Sequence, residues 1–146
     1  MKVILASDHG GISLRKEISG LLEEMNIEYQ DIGCDCADSV DYPDYGIPAA
    51  ERVASGEFDK GILICGTGIG MSISANKVKG IRAALVHDVF SAKATREHND
   101  SNMITMGERV IGPGLAREIV KTWLETEFQA GRHANRIGKI ADYETK

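Results

Sequence analysis

The chain has 146 residues, 42% hydrophobic and 27% charged, enough to bury a proper core as one domain over residues 1–146. A formal net charge of −5 and a pI near 5.4 argue against nucleic acid or anionic membrane as general partners, so any basic residues that matter act locally, on a small anion. The opening run MKVILASDHG is too short for a signal or a span, and no later stretch approaches about 18 uninterrupted apolar residues, which points to the cytoplasm. Three cysteines without a secretory context argue for free thiols rather than a disulfide framework.

Strand-like and helix-like segments alternate along the chain. KVILAS is apolar and β-branched, and DHGG punctuates it; residues 12 to 25 then carry Ile18, Leu21, Leu22 and Met25 on one helical face. A short strand from about Glu28 to Ile32 leads into the loop GCDCADSVDYPD, and Pro43-Asp44 start a helix that runs to about Ser55. Lys60 to Cys65 reads as a strand, and Ile69 to Val78 as a helix. Arg82 to Val86 is a fourth strand, followed by a helix capped by Asp88 and reaching Glu97. Asn102 to Met106 is a fifth strand. After Gly112-Pro113-Gly114, the residues Ala116, Ile119, Val120, Trp123 and Leu124 form the stripe of a long helix. From about Gly131 the chain turns polar and basic, as an arm or short helix.

Five β-then-α units with near-continuous apolar strands imply a parallel sheet with helices on both faces, an α/β/α three-layer sandwich. Right-handed crossovers leave few topologies, and the commonest five-strand order is 2-1-3-4-5. Its crevice opens at the C-terminal ends of strands 1 and 3, where Ser7-Asp8-His9-Gly10-Gly11 and Cys65 to Gly70 face one another.

Ile64 to Met71 read ICGTGIGM. The dinucleotide fingerprint needs its last small residue at Met71, and the nucleotide-hydrolase loop needs a Lys-Ser/Thr pair that is absent. A cysteine-phosphatase loop would place arginine at Met71. What remains is a set of backbone N–H groups at a helix N-terminus, able to hold a phosphate or a developing oxyanion. A glycine turn needed only for close packing stays open, as does an inert buried Cys65 beside a thiolate favoured by the helix terminus.

Asp8 fits a polar-ligand contact or a helix cap. Arg132 and Arg136, four apart, share a face if the tail is helical, and suit a phosphate clamp or a solvated tail. Cys34-Asp35-Cys36 lacks the spacing of a zinc site, and neither a metal nor a cofactor is expected. His87, at a strand end, reads as a local hydrogen-bonding residue. A helix running back along the sheet carries His98 and Asn99 to the edge opposite Cys65 and Asp8, and the last helix does the same for Arg132 and Arg136. A shared site therefore needs a second copy, which predicts a homodimer and leaves open whether dimers pair into tetramers.

ASDHGG, SVDYPDY, ICGTGIGMSISANK and HDVFSAKATREHNDSNMITMGERVIG, in that order across nearly the whole chain, resemble ribose-5-phosphate isomerase type B, the family that includes the galactose-6-phosphate isomerase subunits. The resemblance implies a Rossmann-like fold without a nucleotide and an aldose–ketose isomerisation of ribose 5-phosphate and ribulose 5-phosphate through a cis-enediolate. It implies Cys65 as the base that moves the proton between C2 and C1, and His98 as the acid that opens the furanose. One branch of the family places a glutamate at the position of Met71, so this chain is similar to the cysteine branch. By the same resemblance Asp8 holds ring hydroxyls, and Gly66, Thr67, Gly68, Ile69 and Gly70 surround the enediolate, with Thr67 assisting proton traffic. Asn99 is a substrate ligand, while His9, Arg109, Arg132 and Arg136 ring the phosphate and Tyr42 lines the sugar pocket. Isomerases of allose or galactose 6-phosphate, or a non-catalytic sugar-phosphate-binding module, are the alternatives.

Overall fold

In the computed structural model, which describes residues 1–146, strands and helices alternate. The strands are β1 (Lys2–Ser7), β2 (Glu28–Asp31), β3 (Lys60–Cys65), β4 (Ala83–Leu85) and β5 (Met103–Gly107). The helices are α1 (Ile12–Glu24), α2 (Pro43–Ala54), α3 (Ile69–Asn76), α4 (Val89–Asn99), α5 (Pro113–Glu125) and α6 (Arg132–Glu144), with a 3-10 turn at His9–Gly11 before α1. All strand pairs are parallel.

The strand order is 2-1-3-5-4, so the last two strands are exchanged relative to the expected 2-1-3-4-5. Burial explains the exchange. Every residue of β5 (MITMG) is buried, whereas none of β4 (AAL) is, so β5 takes the interior place and β4 the edge. β2 closes the other edge with no buried residue of its own.

The sheet separates two cores. On one face Ile18 and Leu22 of α1, Ala92 of α4 and Ile119, Val120 and Trp123 of α5 meet Val3, Leu5, Ile62, Ile64 and Ile104. On the other, Ala49, Ala50 and Val53 of α2 and Met71 and Ala75 of α3 meet Ile4, Ala6 and Leu63. Each fully buried Ile, Leu or Val contributes roughly 1.5–3 kcal/mol relative to exposure. The segment expected as an arm or short helix is the 13-residue α6, which packs on α4 and buries only His133.

Cys65 is a free, buried thiol. The side chains of Cys34 and Cys36 come together across Asp35. The backbone bends there, bringing their Cα atoms to 5.3 Å, closer than the roughly 6.6 Å of an extended two-residue step.

Candidate active site

At the C-terminal edge of the sheet, a cavity of about 210 Å³ opens between the ends of β1 and β3. Asp8, His9, Tyr42, Cys65, Thr67 and Arg109 line it, together with Gly10, Gly66 and Gly70. The strand order matters here, because β5 beside β3 delivers Arg109 next to Gly66.

Cys65 ends β3 and is 4% exposed. Its sulfur accepts the Gly68 N–H at 3.1 Å. Gly68 adopts the left-handed region, φ 78°, and a Cβ there would meet the Met106 backbone at 2.8 Å, so the turn admits only glycine comfortably. The Ile69 N–H turns to Thr67 Oγ1 at 3.3 Å. The Gly66, Thr67 and Gly70 N–H groups have no acceptor within the chain. The free donors of the loop are thus these three, with Gly68 occupied by the sulfur.

Asp8 takes the capping use expected of it. Its Oδ1 accepts from Gly10 N–H at 2.8 Å and caps the 3-10 turn, while the residue also lines the cavity. His9 accepts the Val40 N–H on Nδ1 at 3.1 Å, which leaves Nε2 to carry the proton in the neutral ring. The chain has eight arginines. Five of them, Arg15, Arg52, Arg82, Arg96 and Arg117, are in ion pairs. Arg109, Arg132 and Arg136 alone have neither a carboxylate nor any other acceptor within reach.

His98, Asn99, Arg132 and Arg136 do not line this cavity. His98, near the end of α4, stacks on His133 of α6 with ring centroids 4.4 Å apart. Burial, then the neighbouring positive charges of His98, Arg132 and Arg136, hold the His133 imidazole below its usual range. Asn99 borders a second cavity of about 280 Å³ with Arg82, Thr95, Ile137 and Ile140. One chain therefore carries two separate groups, a sulfur with free amides and a cationic histidine–arginine cluster. His133 had no sequence signal as part of that cluster beyond its place beside Arg132.

A family profile described as Ribose/Galactose Isomerase matches residues 3–140. The chain belongs to that family, and it is an isomerase. It is 73% identical over 147 residues to YwlF of Bacillus subtilis, a protein named provisionally as a sugar phosphate isomerase, with 100% of this chain and 99% of that protein covered. A D-erythrulose-4-phosphate isomerase of Pectobacterium atrosepticum is 41% identical, with 99% and 95% covered. Among solved structures, ribose-5-phosphate isomerase B of Clostridium thermocellum superposes with a TM-score of 0.97 at 54% identity, covering 99% of this chain and 98% of that one.

Proposed function

We propose that this isomerase interconverts D-ribose 5-phosphate and D-ribulose 5-phosphate, without metal or cofactor, in a homodimer whose two sites are each built from both copies. The observation that carries the reading is the Cys65 sulfur set among amides with no acceptor, in a cavity that also holds an unpaired arginine. Asp8 holds the ring hydroxyls. His98, from the second copy, protonates the ring oxygen as its bond to C1 breaks, and the anomeric hydroxyl gives its proton to solvent as the C1 carbonyl forms. The Cys65 thiolate then takes the C2 proton, and the electron pair moves onto the carbonyl oxygen as the cis-enediolate forms. The Gly66, Thr67 and Gly70 amides hold those oxygens, each donor supplying about 3–4 kcal/mol as charge develops. Thr67 relays the hydroxyl proton, and Cys65 returns its proton to C1.

Phosphate needs cations that are not already neutralised. Arg109 supplies one beside His9, and Arg132 and Arg136 supply two more with Asn99 from the second copy. Exposed Ile69, Leu85, Val89 and Phe90 stand at the first turns of α3 and α4 and the end of β4, the same edge as the cavity, with exposed Ile73 one turn further along α3. Phe90 is 81% exposed in one chain, an apolar surface suited to a second copy. A cytoplasmic location accords with a phosphorylated metabolite as substrate.

The kinship with an erythrulose 4-phosphate isomerase supports a second reading, a four-carbon substrate with the same chemistry. Assaying ribose 5-phosphate, erythrulose 4-phosphate and allose 6-phosphate side by side separates the readings, with the highest kcat/KM expected for ribose 5-phosphate. Cys65→Ala should lower isomerisation and exchange of the C2 hydrogen with deuterated water by at least about 1,000-fold while sugar-phosphate binding survives. Undiminished exchange in that variant would remove Cys65 as the base.

A further inference from the structure

The loop from residue 32 to residue 42 ends at Tyr42, which lines the cavity, and one side chain grips its root. Arg15 lies on the inward face of α1 and is 1% exposed. Its Nε donates to Asp31 at 3.0 Å, and its Nη2 donates to Asp35 at 2.5 Å. Its Nη1 donates to Ser7 Oγ and to the Cys34 carbonyl, both at 2.6 Å. The guanidinium thus ties the strand end that precedes Asp8 to the first residues of the loop. Gly33 lies directly against it; a Cβ there would stand 2.3 Å from Nη1.

Beyond Cys36 the loop has little else to hold it. From Ala37 to Val40 the one hydrogen bond to the rest of the chain is the Val40 N–H donated to His9 Nδ1. The same loop ends at Tyr42, whose ring packs over Gly70. Two backbone bonds, from Ile32 N–H to the Leu5 carbonyl and from Cys34 N–H to the Ser7 carbonyl, also hold the root. The four bonds from one planar, permanently charged group add the side-chain grip, and a lysine has neither the fork nor the reach to replace them.

We propose that Arg15 is a positioning residue, which sets the 32–42 loop and through it the ring orientation of His9 and the place of Tyr42. The catalytic half of this inference rests on reading His9 and Tyr42 as substrate contacts; the geometric half does not. A purely structural Arg15 would affect stability and every kinetic constant together. A positioning Arg15 acts on substrate binding and leaves the Cys65 end of the cavity alone.

Two variants separate these roles. Arg15→Lys keeps the charge and loses the fork; Asp35→Ala removes one loop anchor at an exposed position and leaves the core intact. In the wild-type protein, nitrogen NMR of the imidazoles should show His9 with its proton on Nε2 and an unprotonated, hydrogen-bonded Nδ1. Arg15→Lys should move those signals toward the averaged pattern of a free histidine and raise KM for ribose 5-phosphate about tenfold, with kcat changed far less. Asp35→Ala should do the same to a smaller extent, and carries the test if Arg15→Lys fails to fold. The alkylation rate of Cys65 by iodoacetamide should stay at the wild-type value in both.

Wild-type His9 signals and KM in a folded variant would overturn the proposal, as would a parallel fall of kcat, melting temperature and Cys65 protection. If the wild-type protein does not turn over ribose 5-phosphate yet the variants still release the His9 ring, the proposed reaction fails and the positioning role stands.

Discussion

His87 accepts the Gly107 N–H on Nε2 at 3.0 Å, so the bond requires a neutral ring with its proton on Nδ1. Gly107 in turn lies against the Gly66–Thr67 peptide, which places this histidine under the amide loop. Burial lowers the His87 pKa below its ordinary value of 6.5, with the Asp88 charge opposing. Between that value and the lower folded one, the unfolded chain binds more protons. The stabilisation is therefore complete above about pH 6.5 and is lost as pH falls below it. His133 shifts in the same direction, so a variant is needed to isolate His87. His87→Gln keeps an acceptor that does not titrate; its melting temperature should fall less than that of the wild type between pH 7.5 and 5.5. Equal falls would refute the assignment. Reading the sequence residue by residue reached His87 as a hydrogen-bonding group but passed over Arg15. A signal was present, since Arg15 stands three residues before Ile18 and seven before Leu22, inside the apolar stripe of α1. An arginine in such a stripe is buried with partners or snorkels, and only coordinates separate the two.

The elements were legible where burial alone decides them. The apolar runs of β1 and β3 and the stripe of α5 determine their type and their place against the sheet. Strand order depends on which strand is buried on both faces, and the commonest topology outweighed the difference between MITMG and AAL. The approach of Cys34 to Cys36 was hidden for another reason, because a bend rather than a spacing brings them together. β4 is an open edge, and α3 blunts it. Asn76 donates from Nδ2 to the Ala83 carbonyl and accepts the Ala83 N–H on Oδ1, both at 2.9 Å, as a neighbouring strand would. Asn76→Ala should lower stability by about 1–2 kcal/mol, since two exposed hydrogen bonds revert to water. Urea unfolding measures it; an unchanged midpoint would show that the edge needs no cover.

At the scale of the molecule, the two groups of candidate residues sit apart in one chain, and helices that run back along a parallel sheet explain why. That separation was legible in the sequence from topology, whereas the stacking of His98 on His133 was not, since it depends on how α6 settles on α4. Mixing Cys65→Ala with His98→Asn tests the shared site. By random exchange half of the dimers are hybrids with one intact site each, so activity should return to about one quarter of wild type. No recovery after confirmed exchange would place the acid and the base in the same copy. The order 2-1-3-5-4 also bears on how the chain is made. β4 pairs with β5 and with no other strand, and β3 has β5 as its second neighbour. A nascent chain that has emerged only as far as Asp100 therefore carries an unfilled slot, with the flank of β3 bare and β4 undocked. The arrival of Met103–Gly107 closes both at once. Translation that stalls just short of that pentapeptide would release an intermediate with a bare strand flank; a few codons further the flank is closed, and the sheet face that α5 covers is what remains exposed.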